Sequence, residues 1–178
     1  MKTYNELKLA QELIRFPTIK TEDKSIMKFL SKKLTAIGFK CTIVKSKGTG
    51  PKSALNLYAR YGKSKPHIMY LGHTDVVANL DNWKFPPFKA VVSKGFLNGR
   101  GAQDMKGGIA CWISAVSNFI KNNKFKGSIS IIISADEETT GYGCPAVMKY
   151  LRKKGEKIDF SVVGEPSSNK SVGDEIRI

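Results

Sequence analysis

The sequence predicts an α/β fold in which a mostly parallel central sheet is flanked by helices. Segments in which apolar residues recur with helical spacing alternate with short runs of β-branched residues, which is typical of such folds. The run Ser128–Ser134 is rich in isoleucine, as expected for a central strand that is covered on both faces. The length of 178 residues is close to that of one ordinary domain.

Two helices and three strands are predicted in the first part of the chain. A helix over about Tyr4–Phe16 is indicated by apolar residues on one face, and Pro17 would end it. Thr21 is expected to cap a second helix, which keeps helical spacing up to Gly38. The period then changes to that of strands, which are predicted at Phe39–Val44, Leu55–Tyr61 and His67–Leu71.

A long connection separates these elements from the second part of the chain. Residues 79–103 are rich in turn-forming residues, and a short hairpin is predicted around Lys89–Leu97. The elements predicted after it are an amphipathic helix over Ile109–Ile120, the strand Ser128–Ser134, a helix near Pro145–Lys154 and the strand Phe160–Val163. Ser171–Ile178 has the pattern of a further strand that the sequence leaves unfinished, so we expect a truncated chain.

The composition argues against several classes of protein. No apolar run approaches the roughly 18 residues of a membrane span, and the first residues do not form a signal peptide. Cys41, Cys111 and Cys144 are odd in number and widely spaced, which suits reduced thiols better than a disulfide framework or a zinc ribbon. We therefore expect a soluble cytoplasmic protein that has no membrane partner.

The formal charge of +15 is the most conspicuous feature of the composition, but it does not predict a nucleic-acid-binding protein. The positive residues are nearly all lysines, which read bases and phosphates less specifically than arginines do. They are also scattered along the chain rather than clustered. We therefore expect no nucleic-acid partner.

Residues that can bind metal or transfer protons follow three of the predicted strands. The carboxyl ends of neighbouring parallel strands meet at one edge of an α/β sheet, and ligands bind there. We therefore expect one cluster at this edge, made up of His73 and Asp75, Glu137 and Glu138, and Glu165. His73 and Asp75 are two residues apart and face the same way in extended chain, so that one could bind metal while the other orients it.

Asp104 could join this cluster from the start of the amphipathic helix, and its two oxygens would allow it to bridge two ions. Each candidate also has a plainer interpretation: Asp104 could cap the helix, His73 could be a core histidine, and the acidic residues could form solvated turns. No complete dinucleotide-binding, phosphate-loop or nucleophilic-serine motif is present. The coincidence of these groups in a chain with only 15 acidic residues favours a carboxylate-rich metal centre.

Four segments together resemble the signature of the co-catalytic zinc amidohydrolases, a group that includes aminoacylases, carboxypeptidases and acetylornithine deacetylase. The segments are Gly72–Val77, Gly99–Gly108, Ser134–Glu138 and Val163–Pro166. The resemblance is strongest to the desuccinylase branch that acts on succinyl-diaminopimelate, and it covers essentially the whole chain. Further support for that branch comes from Trp83, Pro86–Phe88, Lys126–Ser130 and Val172–Ile178.

The resemblance implies a zinc-peptidase-like catalytic domain with two divalent metal ions, zinc or cobalt. His73 and Glu165 would bind one ion, Glu138 would bind the other, and Asp104 would bridge them. Asp75 would orient His73. Glu137 would be the general base, which takes a proton from the attacking water and passes it to the leaving amine. The implied substrate is a small anionic N-acyl amino acid.

Members of this group continue through a Gly-Arg-Arg-Gly segment, a lid and dimerisation domain, and a late histidine of the second metal site. The resemblance therefore implies that residues 1–178 are a catalytic metal-binding domain, truncated before the lid domain and the C-terminal part of the catalytic domain. The full-length form would be a homodimer through the lid, and the chain alone should turn over poorly. The alternatives are an acetylornithine-type deacylase, a dipeptidase, a non-catalytic metal-binding fragment and a basic binding module.

Overall fold

The computed structural model describes residues 2–22, 24–47, 53–78 and 81–168. Within them the chain forms four α-helices and seven strands. The helices are α1 (Glu6–Ile14), α2 (Ser25–Thr35), α3 (Gly107–Asn122) and α4 (Gly143–Lys153). The strands are β1 (Lys40–Ser46), β2 (Ala54–Gly62), β3 (His67–His73), β4 (Val91–Ser93), β5 (Phe96–Asn98), β6 (Ser128–Ser134) and β7 (Phe160–Val163).

Five of the strands form one sheet in the order β1-β2-β6-β3-β7, and β4 and β5 form a separate antiparallel hairpin. β2 pairs antiparallel with both β1 and β6, whereas β3 pairs parallel with β6 and β7. Four strands of the sheet therefore point in one direction, and β2 alone is reversed. The predicted α/β fold is confirmed, with a mixed sheet in which most strands share a direction.

The helices cover both faces of this sheet. Residues of α1, α2 and α3 pack with β2 and β6 in the larger hydrophobic core, and α4 packs on the opposite face through Val147 and Leu151. Every residue of β6 is buried, as the isoleucine-rich sequence predicts for a central strand. β7 is exposed along its length, because β3 is its one neighbour in the described part of the sheet.

The helix starts differ in part from those that the sequence predicts. Asn5 caps α1, where its side chain accepts a hydrogen bond from the backbone N–H of Lys8 at 3.0 Å. The prediction that Thr21 caps α2 is wrong, since the helix begins at Ser25 and its cap residue is Lys24. Thr21 lies in a turn too far before the first helical residue to serve as the cap.

No helix in the described ranges is long and apolar enough to cross a membrane. The three cysteines are free thiols in the structure. The strand predicted at Ser171–Ile178 lies outside the described residues, and so does the part of the desuccinylase resemblance at Val172–Ile178.

Candidate metal centre

The candidate metal centre lies at the edge of the sheet where β3, β6 and β7 end. His73 is the last residue of β3 and stands opposite Ser134, the last residue of β6. Glu165 follows the end of β7 by two residues. Because the three strands are parallel, their carboxyl ends bring these residues to one place.

His73 is almost fully buried, and its two ring nitrogens face different groups. Nε2 lies 2.9 Å from Oδ1 of Asp104, 3.6 Å from Oε1 of Glu165 and 3.7 Å from Oε2 of Glu137. Nδ1 lies 3.1 Å from the backbone oxygen of Asp75 and 3.5 Å from its carboxylate. The ring thus presents Nε2 to three carboxylates while Nδ1 faces Asp75.

Asp75 also holds the chain segment that follows β6. Its buried carboxylate accepts hydrogen bonds from the backbone N–H groups of Glu137 at 3.1 Å and Glu138 at 2.9 Å. These bonds fix the position of both glutamates relative to His73. The sequence predicts that Asp75 orients His73, but no local pattern indicates its contact with residues more than 60 positions away.

Asp104 reaches the centre from a wide turn over Ala102–Lys106 rather than from the start of a helix. Its backbone angles, φ −116° and ψ 97°, are not helical, and α3 begins only at Gly107. The expectation that Asp104 begins this helix is therefore wrong, and so is the interpretation of Asp104 as its cap. Gly101, with φ +79°, supplies the left-handed residue that turns the chain into this conformation.

The side chains form two overlapping groups that could hold a metal ion, namely His73 with Asp104 and Glu138, and His73 with Glu137 and Glu165. The ligand atoms within each group lie within 4.8 Å of one another. One imidazole nitrogen with several carboxylate oxygens is a donor set that suits zinc, cobalt or manganese. The residues present therefore fit a divalent cation. This grouping differs from the predicted division of ligands in placing Glu137 beside His73 and Glu165.

The charges of the centre are unbalanced without a cation. Burial disfavours the protonated form of His73, but Asp75, Glu165 and Asp104 outweigh burial and raise its pKa to about 9. Burial, together with the Asp104 carboxylate, raises the pKa of Glu138 and of Glu165 above the ordinary value, although His73 opposes the rise. A bound cation would relieve this concentration of negative charge.

These pKa values predict that metal binding releases a proton. His73 is protonated at pH 7 in the metal-free chain, and a metal ion binds only the neutral imidazole. The affinity should therefore increase by about tenfold per pH unit up to the pKa of about 9 and level off above it. Calorimetric titration with Zn²⁺ at pH 7, in two buffers of different ionisation enthalpy, measures the released proton. Identical heats in both buffers would contradict the prediction.

Asp136 precedes the two glutamates but does not face the centre. It is fully buried, and its carboxylate accepts hydrogen bonds from the Thr140 hydroxyl at 2.6 Å and from the backbone N–H groups of Gly143 at 2.7 Å and Tyr142 at 3.2 Å. These bonds hold the turn that leads into α4. Asp136 therefore has a structural role, which separates it from the neighbouring Glu137 and Glu138.

Replacing Asp136 with alanine should lower the free energy of unfolding by about 1–3 kcal/mol, because buried donors would lose their acceptor. Urea denaturation measures this loss. Asp136→Asn retains one carbonyl oxygen as an acceptor and should lose less. Equal stability of the alanine variant and the original chain would show that these hydrogen bonds do not support the turn.

A cleft of about 520 Å³ opens beside Asp104 and Glu138. Trp83 and Arg100 line it, with the guanidinium carbon of Arg100 5.0 Å from the centroid of the Trp83 ring. Val77 and Gln103 complete part of the wall. The cleft thus combines an aromatic surface and a positive charge next to the candidate metal ligands. Sequence reasoning singles out Trp83 and Arg100 only as part of the segments that carry the resemblance, and it gives neither residue a role.

The model of peptidase family M20/M25/M40 matches residues 69–178 of this chain. A curated succinyl-diaminopimelate desuccinylase from Pelagibacter ubique (strain HTCC1062) is 50% identical over 182 aligned positions, which cover 100% of this chain and 47% of that protein. One from Ehrlichia canis (strain Jake) is 46% identical, over 97% of this chain and 46% of that protein. The chain thus spans about half the length of the curated relatives it matches.

Solved structures show the same fold at lower sequence identity. An M20 family metallo-carboxypeptidase from Sulfolobus solfataricus has a TM-score of 0.77 at 21% identity, covering 93% of this chain and 38% of that one. Human carnosine dipeptidase 1 has a TM-score of 0.73 at 23% identity, covering 92% of this chain and 38% of that one. These similarities establish the architecture, while the chemistry depends on the side chains at the sheet edge.

Proposed function

The chain belongs to peptidase family M20/M25/M40, a metal-dependent family, and from this premise we propose that it is the catalytic metal-binding domain of a succinyl-diaminopimelate desuccinylase. The observation that carries the proposal is the convergence of His73, Asp104, Glu137, Glu138 and Glu165 at one sheet edge. The substrate is proposed from relatives of that name that are 42–50% identical to the chain. The reaction is hydrolysis of the amide bond between succinate and diaminopimelate.

The proposed cofactors are two zinc or cobalt ions. His73 and Glu165 would hold one ion, Glu138 the other, and Asp104 would lie between them. When bound, such a pair supplies Lewis acidity, which activates water and stabilises negative charge on the amide oxygen. The donor chemistry of these side chains supports divalent cations here, although the observed groups place His73 with Glu138 as well as with Glu165.

Glu137 is the residue proposed to move protons. Its side chain is about half exposed, so that water can reach it, and its Oε2 lies 3.7 Å from Nε2 of His73. It would accept a proton from water and donate it to the departing amine. Asp75 supports metal binding by His73, whose Nδ1 it faces. It also supports proton transfer by Glu137, because its carboxylate accepts hydrogen bonds from the backbone N–H groups of Glu137 and Glu138.

The cleft beside Asp104 and Glu138 is the proposed substrate site. Its volume of about 520 Å³ and the positive charge of Arg100 suit a small anionic N-acyl amino acid. We further infer a cytoplasmic enzyme of diaminopimelate and lysine biosynthesis, which in its longer form is a homodimer. The free state of the three cysteines suits a reducing compartment.

A chimera tests the substrate assignment, because the curated relatives are about twice as long as this chain. Residues 1–178 would replace the matching 47% of the Pelagibacter ubique desuccinylase. With Zn²⁺ or Co²⁺ present, kcat/KM for N-succinyl-LL-2,6-diaminopimelate should exceed that for N-acetylornithine and for dipeptides. A preference for N-acetylornithine or for a dipeptide would favour another member of the family.

A further inference from the structure

Lys106 is a buried lysine two residues after Asp104, and the proposed reaction does not use it. It has no exposed surface, and its Nζ donates a hydrogen bond to the backbone oxygen of Phe16 at 2.9 Å. Burying an ammonium group costs free energy unless the group is well paired. The contacts of the Lys106 side chain therefore matter for the part of the fold that surrounds it.

The segment Phe16–Thr18, which receives this hydrogen bond, is also attached to the chain that follows His73. The backbone oxygen of Thr18 accepts from the backbone N–H of Val76 at 3.1 Å, and the Thr18 hydroxyl donates to the backbone oxygen of Thr74. Thr18, Thr74 and Val76 are all buried. The same segment therefore contacts both stretches of chain that carry candidate metal ligands.

Among the described residues, no strand pairing or helix joins the two stretches directly. His73 ends β3, whereas Asp104 lies in the wide turn of Ala102–Lys106, where its backbone is not helical. Their side chains nevertheless meet at 2.9 Å between Nε2 and Oδ1. A link through Phe16–Thr18 can set this separation, because it holds Lys106 on one side and the residues after His73 on the other.

We propose that the segment Phe16–Thr18 and the Lys106 side chain form a brace between His73 and Asp104, which sets the geometry of the metal centre. Lys106 and Thr18 are the positioning residues of this brace. The inference rests on the proposed function, since it requires that His73 and Asp104 bind metal. Ligands must be held to within about 0.5 Å for good coordination. Loss of either tether would let the His73 and Asp104 stretches move independently. We expect this loss to weaken metal binding by about 10–100-fold, as substitutions around metal ligands do.

The test is a titration of the 178-residue chain with Co²⁺, in which the visible absorption of the bound ion is the measured signal. Lys106→Met and Thr18→Val should each weaken Co²⁺ binding by about 10–100-fold and change the absorption spectrum. Thr18→Ser retains the hydroxyl and should behave like the original chain. If Lys106→Met fails to fold, the comparison of Thr18→Val with Thr18→Ser still decides the question.

Ser114→Ala is the matched control for a purely structural effect. The Ser114 hydroxyl donates to the backbone oxygen of Tyr4 at 2.7 Å, so that it also joins α3 to the N-terminal part of the chain. This variant should lose stability in urea denaturation but keep the original Co²⁺ affinity and spectrum. Unchanged Co²⁺ affinity and spectrum in Lys106→Met and Thr18→Val would overturn the brace alone. Absence of Co²⁺ binding in the original chain would overturn the metal centre and the brace with it.

Discussion

Replacing His73 with glutamine is expected to remove high-affinity binding of divalent metal from this chain. His73 belongs to both groups of candidate ligands and supplies the one imidazole nitrogen that they share. Residues that surround metal ligands commonly contribute 10–100-fold to affinity, so loss of this ligand should cost at least about 100-fold. Metal content after dialysis against Zn²⁺-containing buffer, and titration with Co²⁺, measure the loss.

His67→Gln is the control for this experiment. His67 begins β3 at the opposite edge of the sheet, where its ring nitrogens lie 2.9 Å from the backbone oxygen of Lys157 and 2.8 Å from the Ser130 hydroxyl. Its substitution should reduce stability but leave metal content unchanged. A His73→Gln variant that retained its metal would show that the centre is assigned to the wrong residues.

Replacing Glu137 with glutamine is expected to lower kcat of the desuccinylase chimera by about 10²–10⁴-fold, while the protein keeps its metal. Glutamine preserves the size and polarity of the side chain but cannot accept the proton of the attacking water. Initial rates with N-succinyl-LL-2,6-diaminopimelate, together with metal analysis of the same preparation, measure the two effects separately.

Glu138→Gln is the matched variant, since it makes the same chemical change at the neighbouring residue. It should lose metal affinity first and activity as a consequence. The contrast is informative because Glu137, with His73 and Glu165, also forms a group that could hold an ion. If Glu137→Gln lost its metal and Glu138→Gln kept it, the two glutamates would have the opposite roles.

The sequence by itself predicts most elements of the fold and the edge at which the candidate site lies. Periodic apolar residues define α1, α3 and α4, and the isoleucine-rich run of β6 indicates a fully buried central strand. The reversed direction of β2 is not predicted, because an apolar run reports burial of a strand but not the direction of its neighbours. The exposure of β7 is not predicted either, because its apolar residues indicate burial, whereas β3 is its one neighbour in the described part of the sheet.

The close contacts of the site depend on the tertiary structure. The sequence places Asp104 at the start of a helix, whereas the folded chain holds it in a wide turn against His73. The double hydrogen bond from Asp75 to the segment after β6 is likewise visible only in the structure. Each contact joins residues 31 or more positions apart, beyond the reach of local periodicity.

Thus the sequence alone determined which residue types follow the strands of the sheet, and with them the kind of chemistry to expect. The tertiary structure decided which of those residues meet and what holds them. Lys106 illustrates the difference: it lies in the Gly99–Gly108 segment that carries the resemblance, but no local pattern shows that its ammonium group is buried. Its ammonium group is buried because the folded chain packs it beside Phe16, a residue 90 positions away in the sequence.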